Sequence, residues 1–338
     1  MQISIIVPVY NNGGDLSECL SALKLSSGPD SEIVVVDDAS TDDTPAVAAR
    51  MGVRVLSLTK NSGPAAARNY GARYATGDIL LFVDADVVIA PGAVNRVMKV
   101  LEENSDLAAV FGSYDAEPRA PGVVSQYRNL LHHFVHQNGN PDASTFWAGC
   151  GAVRSSTFQE IGGFDETRFR HPSIEDIEMG YRLRQAGHRI RLDKSLRATH
   201  LKKWTLRSVI RTDIVCRALP WARLILESKN APADLNLKWA QRLSGALVML
   251  LCLFVPLGVF WVEPLAISAI VLVVVIALNR DLYLFFCRQR GFWFAVACIP
   301  LHLLYYLYSG LSYLHVWIGF RLRGRNSLRG SYPTRQRV

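Results

Sequence analysis

The sequence predicts an α/β domain, in which helices flank a mostly parallel sheet, followed by transmembrane or interfacial α-helices. In the first half of the chain, short apolar runs alternate with capped or amphipathic segments, which is typical of parallel strands joined by crossover helices. After Gln241, long apolar runs replace this alternation. The 338 residues are enough for one full domain and a membrane region.

Four strands and three helices are predicted in the first 86 residues. Continuous apolar runs that end at polar or glycine-containing turns indicate strands buried on both faces. The strands are predicted at 3–10, 32–40, 53–59 and 78–86, and the helices at 15–26, 41–51 and 63–75. This order predicts that the carboxyl ends of the strands lie along one edge, where open α/β sheets bind ligands.

Two carboxylates lie at the end of the fourth predicted strand. In FVDADVVI, residues 82–89, Asp84 and Asp86 follow the apolar run ILLFV. Ionised carboxylates are costly to bury, so this pair needs a metal ion, a basic partner or open solvent. The spacing alone is equally consistent with a solvated turn after the strand.

The C-terminal part contains three apolar runs, at 244–262, 265–278 and 292–320. The first and third approach or exceed the roughly 20 apolar residues that cross a bilayer, and the second is shorter. Three crossings would separate the basic tail RLRGRNSLRG from the N-terminal domain. We therefore expect that the third run bends at Pro300 and returns, or that one run is partly inserted, with both ends cytosolic.

Charge and cysteine content narrow the choice of partners. The formal net charge is +8, concentrated at 168–223 and in the tail, where basic residues alternate with tryptophans and flank the apolar runs. This pattern favours an anionic membrane surface over nucleic acid. The segment 202–229 has the near-helical spacing of helices that lie in the headgroup plane, although an ordinary interdomain helix also fits. Six scattered cysteines and no visible signal peptide predict a cytosolic N-terminal domain.

The turn after the first strand excludes two classes of nucleotide-binding enzyme. It reads VPVYNNGGDL, with neither the G-x-G-x-x-G of dinucleotide oxidoreductases nor a G-x-x-x-x-G-K-[ST] loop. Five other motifs, in order and spacing, resemble those of the inverting glycosyltransferases of family 2. They are SIIVPVYNN (4–12), VVVDDASTDDT (34–44), NSGPAAARNYGARYATGDILLFVDAD (61–86), GGFDE (162–166) and IEDIEMGYRLRQAG (174–187). The resemblance covers residues 1–205 and implies a GT-A fold, with a Rossmann-like mixed sheet.

The resemblance also implies a site for a nucleoside-diphosphate sugar. Asp37 or Asp38 would accept a hydrogen bond from the base, above a floor formed around Pro8, Val9 and Tyr10, and Arg68 would contact the donor. Asp86 would ligate Mn²⁺ or Mg²⁺, and Asp84 would face the ribose or sugar. Asp84 and His200 are candidate further ligands of the metal. The residues by themselves leave open that Asp37 and Asp38 belong to a capped turn, that Arg68 is a solvated helix charge and that His200 only packs.

The acceptor half of the site is predicted around Asp176. This residue matches the family's catalytic base, and Glu175 is a candidate to share that role, although both also suit an ordinary helix start. Nearby basic residues are candidates for holding Asp176 ionised or for gripping an acceptor phosphate, namely Arg168, Arg170 and His171. Trp147, Gly149 and Arg154 match the segment that lines the pocket in relatives.

We therefore expect a membrane-associated glycosyltransferase of the inner membrane that transfers one sugar from a UDP- or GDP-linked donor to a lipid-linked or glycolipid acceptor. The expected regions are a GT-A domain (1–205), interfacial helices (206–240), a multi-pass membrane region (241–320) and a basic cytosolic tail (321–338). No Q-x-x-R-W follows the basic segment, which favours single transfer over polymerisation. The alternatives are a polyprenyl-phosphate sugar synthase and a non-catalytic membrane scaffold that binds sugar nucleotides.

Overall fold

A mixed sheet forms the N-terminal part of the computed structural model, which describes residues 1–228 and 238–323. Its strands are β1 (Ile3–Val9), β2 (Ser31–Asp37), β3 (Arg54–Ser57), β4 (Ile79–Val83), β5 (Val87–Ile89), β6 (Leu107–Tyr114), β7 (Asp142–Ala143), β8 (Cys150–Arg154) and β9 (Arg189–His200). Within the described residues they form one sheet in the order β3-β2-β1-β4-β8-β6-β9-β5, with β7 paired to β9.

The first four strands of the chain are parallel, as predicted. β1 pairs with β2 and β4, and β2 pairs with β3. β8 lies antiparallel between β4 and β6, which the sequence did not reveal, because an antiparallel strand buried on both faces has the same apolar pattern as a parallel one. The mixed, mostly parallel GT-A-like sheet is thus confirmed.

Helices cover both faces of the sheet. They are α1 (Gly13–Ser26), α2 (Thr44–Arg50), α3 (Pro64–Tyr74), α4 (Ala93–Glu103), α5 (Val123–Gln137), α6 (Ser155–Glu160) and α7 (Glu175–Gln185). Alternate residues of each central strand enter separate cores. Ile5 packs in the cluster that contains Leu16 of α1, and Ile6 packs in the cluster that contains Met179 of α7. These two cores hold the strand ends that carry the polar residues described below.

Two short α-helices and a π-helix follow the sheet domain. α8 (Leu206–Arg211) begins with a capping box between Thr205 and Ser208, and continues into a π-helix (Thr212–Ala218) and α9 (Leu219–Glu227). The helices predicted within 202–229 are thus present, but the π-helical segment was not foreseen. Residues 229–237 of the predicted interfacial region lie outside the described residues.

Four helices form the C-terminal part, α10 (Trp239–Leu257), α11 (Glu263–Leu278), α12 (Arg280–Arg290) and α13 (Phe292–Arg323). Among the described residues, α10 and α13 are long and apolar enough to cross a membrane, and α11 with α12 makes a third candidate if that pair, bent by 68°, is one span. Large apolar side chains such as Leu253 and Ile270 are exposed on these helices.

The expected reversal at Pro300 is wrong. α13 continues through Pro300, since a proline removes only one helical hydrogen bond and membrane helices tolerate it. The sharp bend lies instead at Asn279, between α11 and α12.

Gly245 of α10 lies near Tyr306 of α13, and Met249 lies near Gly310, so α10 and α13 run in the same direction. Full crossings by both would place Arg323 on the face opposite Trp239, so the expectation that both ends are cytosolic stays a prediction, which requires that one run is only partly inserted. Residues 324–338 of the basic tail lie outside the described residues.

Candidate active site

Polar residues collect at the carboxyl edge of the parallel strands. β1 ends at Val9, β2 at Asp37 and β4 at Val83, so Tyr10, Asp38 and Asp84 follow three adjacent strand ends. Asp86 comes one residue before β5. The sequence prediction that these segments meet at one edge is confirmed by the strand pairing.

The carboxylate of Asp38 holds the turn that leads into α3. Its two oxygens accept hydrogen bonds from the backbone N–H groups of Ser62, at 2.7 Å, and Gly63, at 2.8 Å. Burial raises the pKa of Asp38, and these two bonds oppose the rise. Gly63 has φ +89°, and a Cβ there would lie 2.3 Å from the carbonyl oxygen of Arg170, so the turn requires glycine.

The turns after β1 and β2 are joined to each other. Asn11 donates its backbone N–H to the Ser40 hydroxyl at 2.9 Å, and its side-chain oxygen accepts from the backbone of Thr41 at 2.7 Å. Asn11 and Ala39 have φ values of +50° and +60°, which are unusual for residues with a side chain and often mark ligand sites. Sequence reasoning missed Asn11, although an asparagine in NNGG is a recognised turn signal.

Arg68 joins the two predicted halves of the site. Its guanidinium is buried and contacts Asp84 at 2.6 Å through Nη2 and Glu175 at 2.8 Å through Nη1. Burial alone lowers the pKa of Arg68, but the charges of Asp84 and Glu175 outweigh it and raise the pKa above its ordinary value. Arg68 is therefore a permanent positive charge at the strand edge, not a solvated helix charge.

Glu175 and Asp176, at the start of α7, have different surroundings. Glu175 is 5% exposed, and its second oxygen accepts a hydrogen bond from the backbone N–H of Ser173 at 2.9 Å. Both of its oxygens are thus used in holding Arg68 and the helix start. Arg168, which the sequence suggested as a partner of Asp176, contacts Glu227 of α9 at 2.8 Å.

Asp176 is placed by two backbone donors. Oδ1 accepts from its neighbour Ile177 at 2.8 Å, and Oδ2 accepts from Ala148 at 3.1 Å. Burial and the adjacent charge of Glu175 raise the pKa of Asp176 to about 7, although Arg68 and the backbone bonds oppose the rise. A carboxylate with this pKa can accept a proton near neutral pH.

Asp86 and His200 face each other at the ends of adjacent chain segments. Oδ2 of Asp86 lies 3.3 Å from Nε2 of His200, whose Nδ1 lies 2.8 Å from the side-chain oxygen of Asn129. Nε2 of His200 and Oδ2 of Asp86 therefore face each other, and a cation between them, either a proton or a metal ion, would contact both.

The donor set of Asp86 and His200 suits Mn²⁺, since manganese binds both carboxylate oxygen and imidazole nitrogen. Within residues 1–228 and 238–323, no group of three or more His, Cys, Asp or Glu side chains is arranged to hold a metal ion. Asp84 uses Oδ1 to bind Arg68. An ion at this site would thus need ligands from a bound molecule in addition to Asp86 and His200, and the role of Asp84 as a ligand stays a prediction.

One face of α5 supports the pair of Asp86 and His200, and the sequence reasoning missed it. Ser125 exchanges hydrogen bonds with the backbone of Trp204, and Asn129 holds His200. His132 lies against Tyr114, whose ring stacks on His200 at 4.5 Å. Ser125, Asn129 and His132 have the spacing i, i+4, i+7, and this polar stripe in the helix was the available signal.

The segment 147–154 is only partly at the site. Trp147 packs against Tyr114 with ring centroids 4.8 Å apart, and Gly149 accepts the backbone N–H of Asp84. Arg154 pairs with Ile79 at the opposite end of β4 and donates to the carbonyl oxygens of Leu101 and Leu107. The interpretation of Arg154 as a pocket residue is therefore wrong, because the antiparallel β8 carries it away from the site.

The fold and the strand-edge carboxylates define a GT-A domain, and comparisons identify its family. Residues 4–162 match the family described as glycosyl transferase family 2. An uncharacterized glycosyltransferase of Haemophilus influenzae is 29% identical over 195 residues, which cover 54% of this chain and 62% of that protein. Residues 4–162 therefore form a domain of the glycosyl transferase family 2 type, and the chain spans less than two thirds of that curated relative.

Solved structures agree in fold. A mannosyltransferase from Pyrobaculum calidifontis, in complex with GDP-Man and Mn²⁺, is 18% identical, with a TM-score of 0.62 over 93% of this chain and 87% of that one. TarS 1-349 of S. aureus, in complex with UDP-GlcNAc, is 18% identical, with a TM-score of 0.52 over 95% of this chain and 92% of that one. At these identities the similarity concerns the fold alone.

Proposed function

We propose that the protein is a membrane-associated, metal-dependent, inverting glycosyltransferase. It transfers a single sugar from a nucleoside-diphosphate sugar to a lipid-linked or glycolipid acceptor. The observation that carries this proposal is the buried bridge of Arg68 between Asp84 and Glu175, beside Asp176 with its pKa of about 7. It places a fixed cation and a candidate base at one strand edge, as transfer from a diphosphate to a hydroxyl requires.

The donor is a UDP- or GDP-linked sugar. The ligands bound in the structural relatives, GDP-Man and UDP-GlcNAc, support this class of donor. Asp37 or Asp38 binds the base, Pro8, Val9 and Tyr10 form the floor beneath it, and the strained turns at Asn11 and Ala39 shape the pocket.

Asp86 and His200 hold a divalent cation, Mn²⁺ or Mg²⁺. When bound, this ion neutralises negative charge on the diphosphate leaving group. The short distance between the two side chains and their Asn129 support favour this assignment over simple packing of His200. Arg68 is a second cation at this edge and is paired with Asp84 and Glu175.

Asp176 acts as the general base. Its carboxylate takes the proton of the acceptor hydroxyl, whose oxygen bonds to the anomeric carbon as the bond from that carbon to the diphosphate breaks. One displacement of this kind inverts the configuration of the sugar. Glu175 holds Arg68 and orients the helix start, because its oxygens accept hydrogen bonds from the Arg68 guanidinium and from the backbone of Ser173.

The acceptor is associated with a membrane. α8, the π-helix and α9 connect the sheet domain to the apolar helices, and α9 contacts the sheet domain through Arg168 and Glu227. The basic residues concentrated at 202–223, between the sheet domain and the apolar helices, suit contact with anionic headgroups. We assign the protein to the inner membrane as a multi-pass protein with a cytosolic catalytic domain.

The proposal is tested with the purified full chain in lipid extract, supplied with Mn²⁺ and a panel of UDP- and GDP-sugars. Wild type is compared with Asp86→Ala, Asp176→Asn and the surface control Asp142→Asn, which alters an exposed pair with Arg184 of α7. We expect one donor to yield a lipid-soluble product, with activity lost in the first two variants and kept in the control.

Three other results would redirect the proposal. Activity that survives Asp176→Asn would favour a polyprenyl-phosphate sugar synthase, because a phosphate nucleophile needs little help from a base. Tight nucleotide binding without turnover of any donor would indicate a membrane scaffold. Absence of nucleotide binding would contradict both the enzyme and the scaffold.

A further inference from the structure

A buried carboxylate lies where the sheet domain meets the membrane helices. Asp213, in the π-helix, is 3% exposed. It accepts hydrogen bonds from Arg128 of α5 at 2.8 Å, Arg217 at 3.1 Å and the hydroxyl of Tyr308 in α13 at 2.5 Å. We call these four residues the junction cluster. It joins three elements that are far apart in the sequence.

One series of contacts leads from the junction cluster to Asp84. The π-helix that carries Asp213 also presents the carbonyl oxygen of Cys216, which accepts the Ser173 hydroxyl at 3.2 Å. The backbone of Ser173 donates to Glu175 at 2.9 Å, and Glu175 binds Arg68, which contacts Asp84. Each step is a polar contact between partly or fully buried groups.

A second series leads to Asp86. Arg128, the α5 member of the junction cluster, is followed in the chain by Asn129, which holds Nδ1 of His200 at 2.8 Å. Nε2 of His200 lies 3.3 Å from Asp86. A shift of α5 that breaks the Arg128 contact with Asp213 therefore moves the residue that orients His200.

The local backbone also indicates a specific role for this junction. π-helical turns are rare, and seven consecutive residues in that conformation occur here, at the residues that carry Asp213 and Cys216. A regular α-helix would rotate these two residues relative to each other, because the two helices differ in residues per turn. The conformation is what lets one short segment contact both Tyr308 and Ser173.

We infer that the junction cluster positions the two carboxylates of the DAD motif, so that the geometry of the donor and metal site depends on the seating of α13 against the sheet domain. This inference rests on the proposed function and deepens it. Asp213, Arg128 and Tyr308 are positioning residues, which act through Glu175, Arg68, Asn129 and His200. The membrane helix is thus part of the machinery that orders the site, as well as an anchor.

The test compares two tyrosine hydroxyls at the same junction. Tyr308→Phe removes the bond to Asp213, whereas Tyr127→Phe removes a buried hydroxyl on α5 that has no hydrogen-bond partner among the described residues. Both changes keep the ring, so both proteins should fold. Asp213→Asn serves as the stronger variant. Each protein is studied as the full chain in lipid nanodiscs.

The readouts are the affinity for UDP and GDP in the presence of Mn²⁺, by calorimetry, and the Mn²⁺ concentration that gives half-maximal transfer. A cluster that only stabilises the fold lowers the amount of active protein and leaves both quantities unchanged. For a positioning cluster we expect Tyr308→Phe to raise the half-maximal Mn²⁺ concentration about three- to tenfold, and Asp213→Asn to raise it further. Tyr127→Phe should stay within about twofold of wild type.

Two results would overturn the inference, and they are distinguishable. If wild type binds nucleotide with Mn²⁺ and transfers sugar normally, but Tyr308→Phe and Asp213→Asn behave like Tyr127→Phe, the inference fails and the proposed function stands. If wild type shows no Mn²⁺-dependent nucleotide binding, the proposed function fails and the inference fails with it.

Discussion

The strand edge and the apolar C-terminal helices both bury polar side chains, but the hydrogen-bond and charge partners differ in kind. At the strand edge, Arg68 forms ion pairs with Asp84 and Glu175. Among the C-terminal helices, Asn279 donates to Ser244 at 2.9 Å and accepts from Tyr306 at 2.8 Å, in a network of neutral groups.

This difference indicates what each region does. A network of neutral groups closes on itself and leaves no net charge, so it can fix the bend at Asn279 within an apolar environment. At the strand edge, burial and the charge of Glu175 raise the pKa of Asp176, and Asp86 lies opposite His200, which is an arrangement that a charged ligand can complete. The network around Asn279 is suited to stability, and the strand edge is suited to chemistry.

The largest effect is expected from Asp176→Asn. An amide cannot accept the acceptor proton, so transfer should slow by about a thousandfold, in the range for loss of a general base. The measurement is kcat for transfer from the active donor. Glu175→Gln is the comparison variant, since it should instead weaken donor binding, and so raise KM, through Arg68. Equal losses of kcat with unchanged KM in the two variants would contradict the separate roles.

Arg68→Ala should cost the most in stability. It leaves Asp84 and Glu175 as unpaired charges, one of them deeply buried, and should lower the free energy of unfolding by about 3–5 kcal/mol. Denaturation in mild detergent measures this. Arg96→Ala provides the comparison, because that pair with Asp193 is partly exposed on the arginine side. A similar loss of unfolding free energy in both variants would show that the buried bridge of Arg68 contributes no more stability than a partly exposed ion pair.

Gly180→Ala tests how closely α7 must approach the strand edge. A Cβ at this position would lie 2.4 Å from the backbone nitrogen of Phe146, so α7 has to move. We expect a loss of about 1–3 kcal/mol in unfolding free energy. Transfer should also fall, since the movement changes the contact of Asp176 with Ala148. Gly14→Ala, at a helical position with open space, should cause neither change.

The smallest effect is expected from Asn279→Leu in the membrane region. Loss of its hydrogen bonds should lower stability by about 0.6–2 kcal/mol, the range for polar contacts between membrane helices. Transfer per folded molecule should be unchanged, as this network does not reach the strand edge. A thermal stability assay in detergent, run beside the transfer assay, separates the two. A loss of transfer without a loss of stability would contradict the assignment of the Asn279 network to stability alone.

Local patterns predicted much of the fold. The apolar run before Asp84 predicted β4, and the acids of IEDIEM predicted the start of α7, because strand burial and helix dipoles act over a few residues. The polar face of α5 was equally visible, but its meaning depends on His200, which is 71 residues from Asn129.

Features that depend on distant partners could not be predicted. Nothing near Arg68 indicates its pairing with Glu175, which is 107 residues away, nor could the apolar pattern of β8 reveal its antiparallel insertion. The path of α13 was predicted wrongly at Pro300 for the same reason, since neighbouring helices decide whether a proline ends a membrane helix. Sequence periodicity indicates which face of a helix or strand is buried, but it does not identify the residues that pack against that face.

The most direct test of the account is the pH dependence of kcat/KM for transfer by the wild-type protein. Asp176 must be ionised to accept a proton, and its pKa is raised to about 7. The account predicts that kcat/KM falls about tenfold for each pH unit below 7 and levels off above it. A rate that stays constant between about pH 5.5 and 8, where an ordinary aspartate is fully ionised, would contradict the assignment of Asp176 as the base.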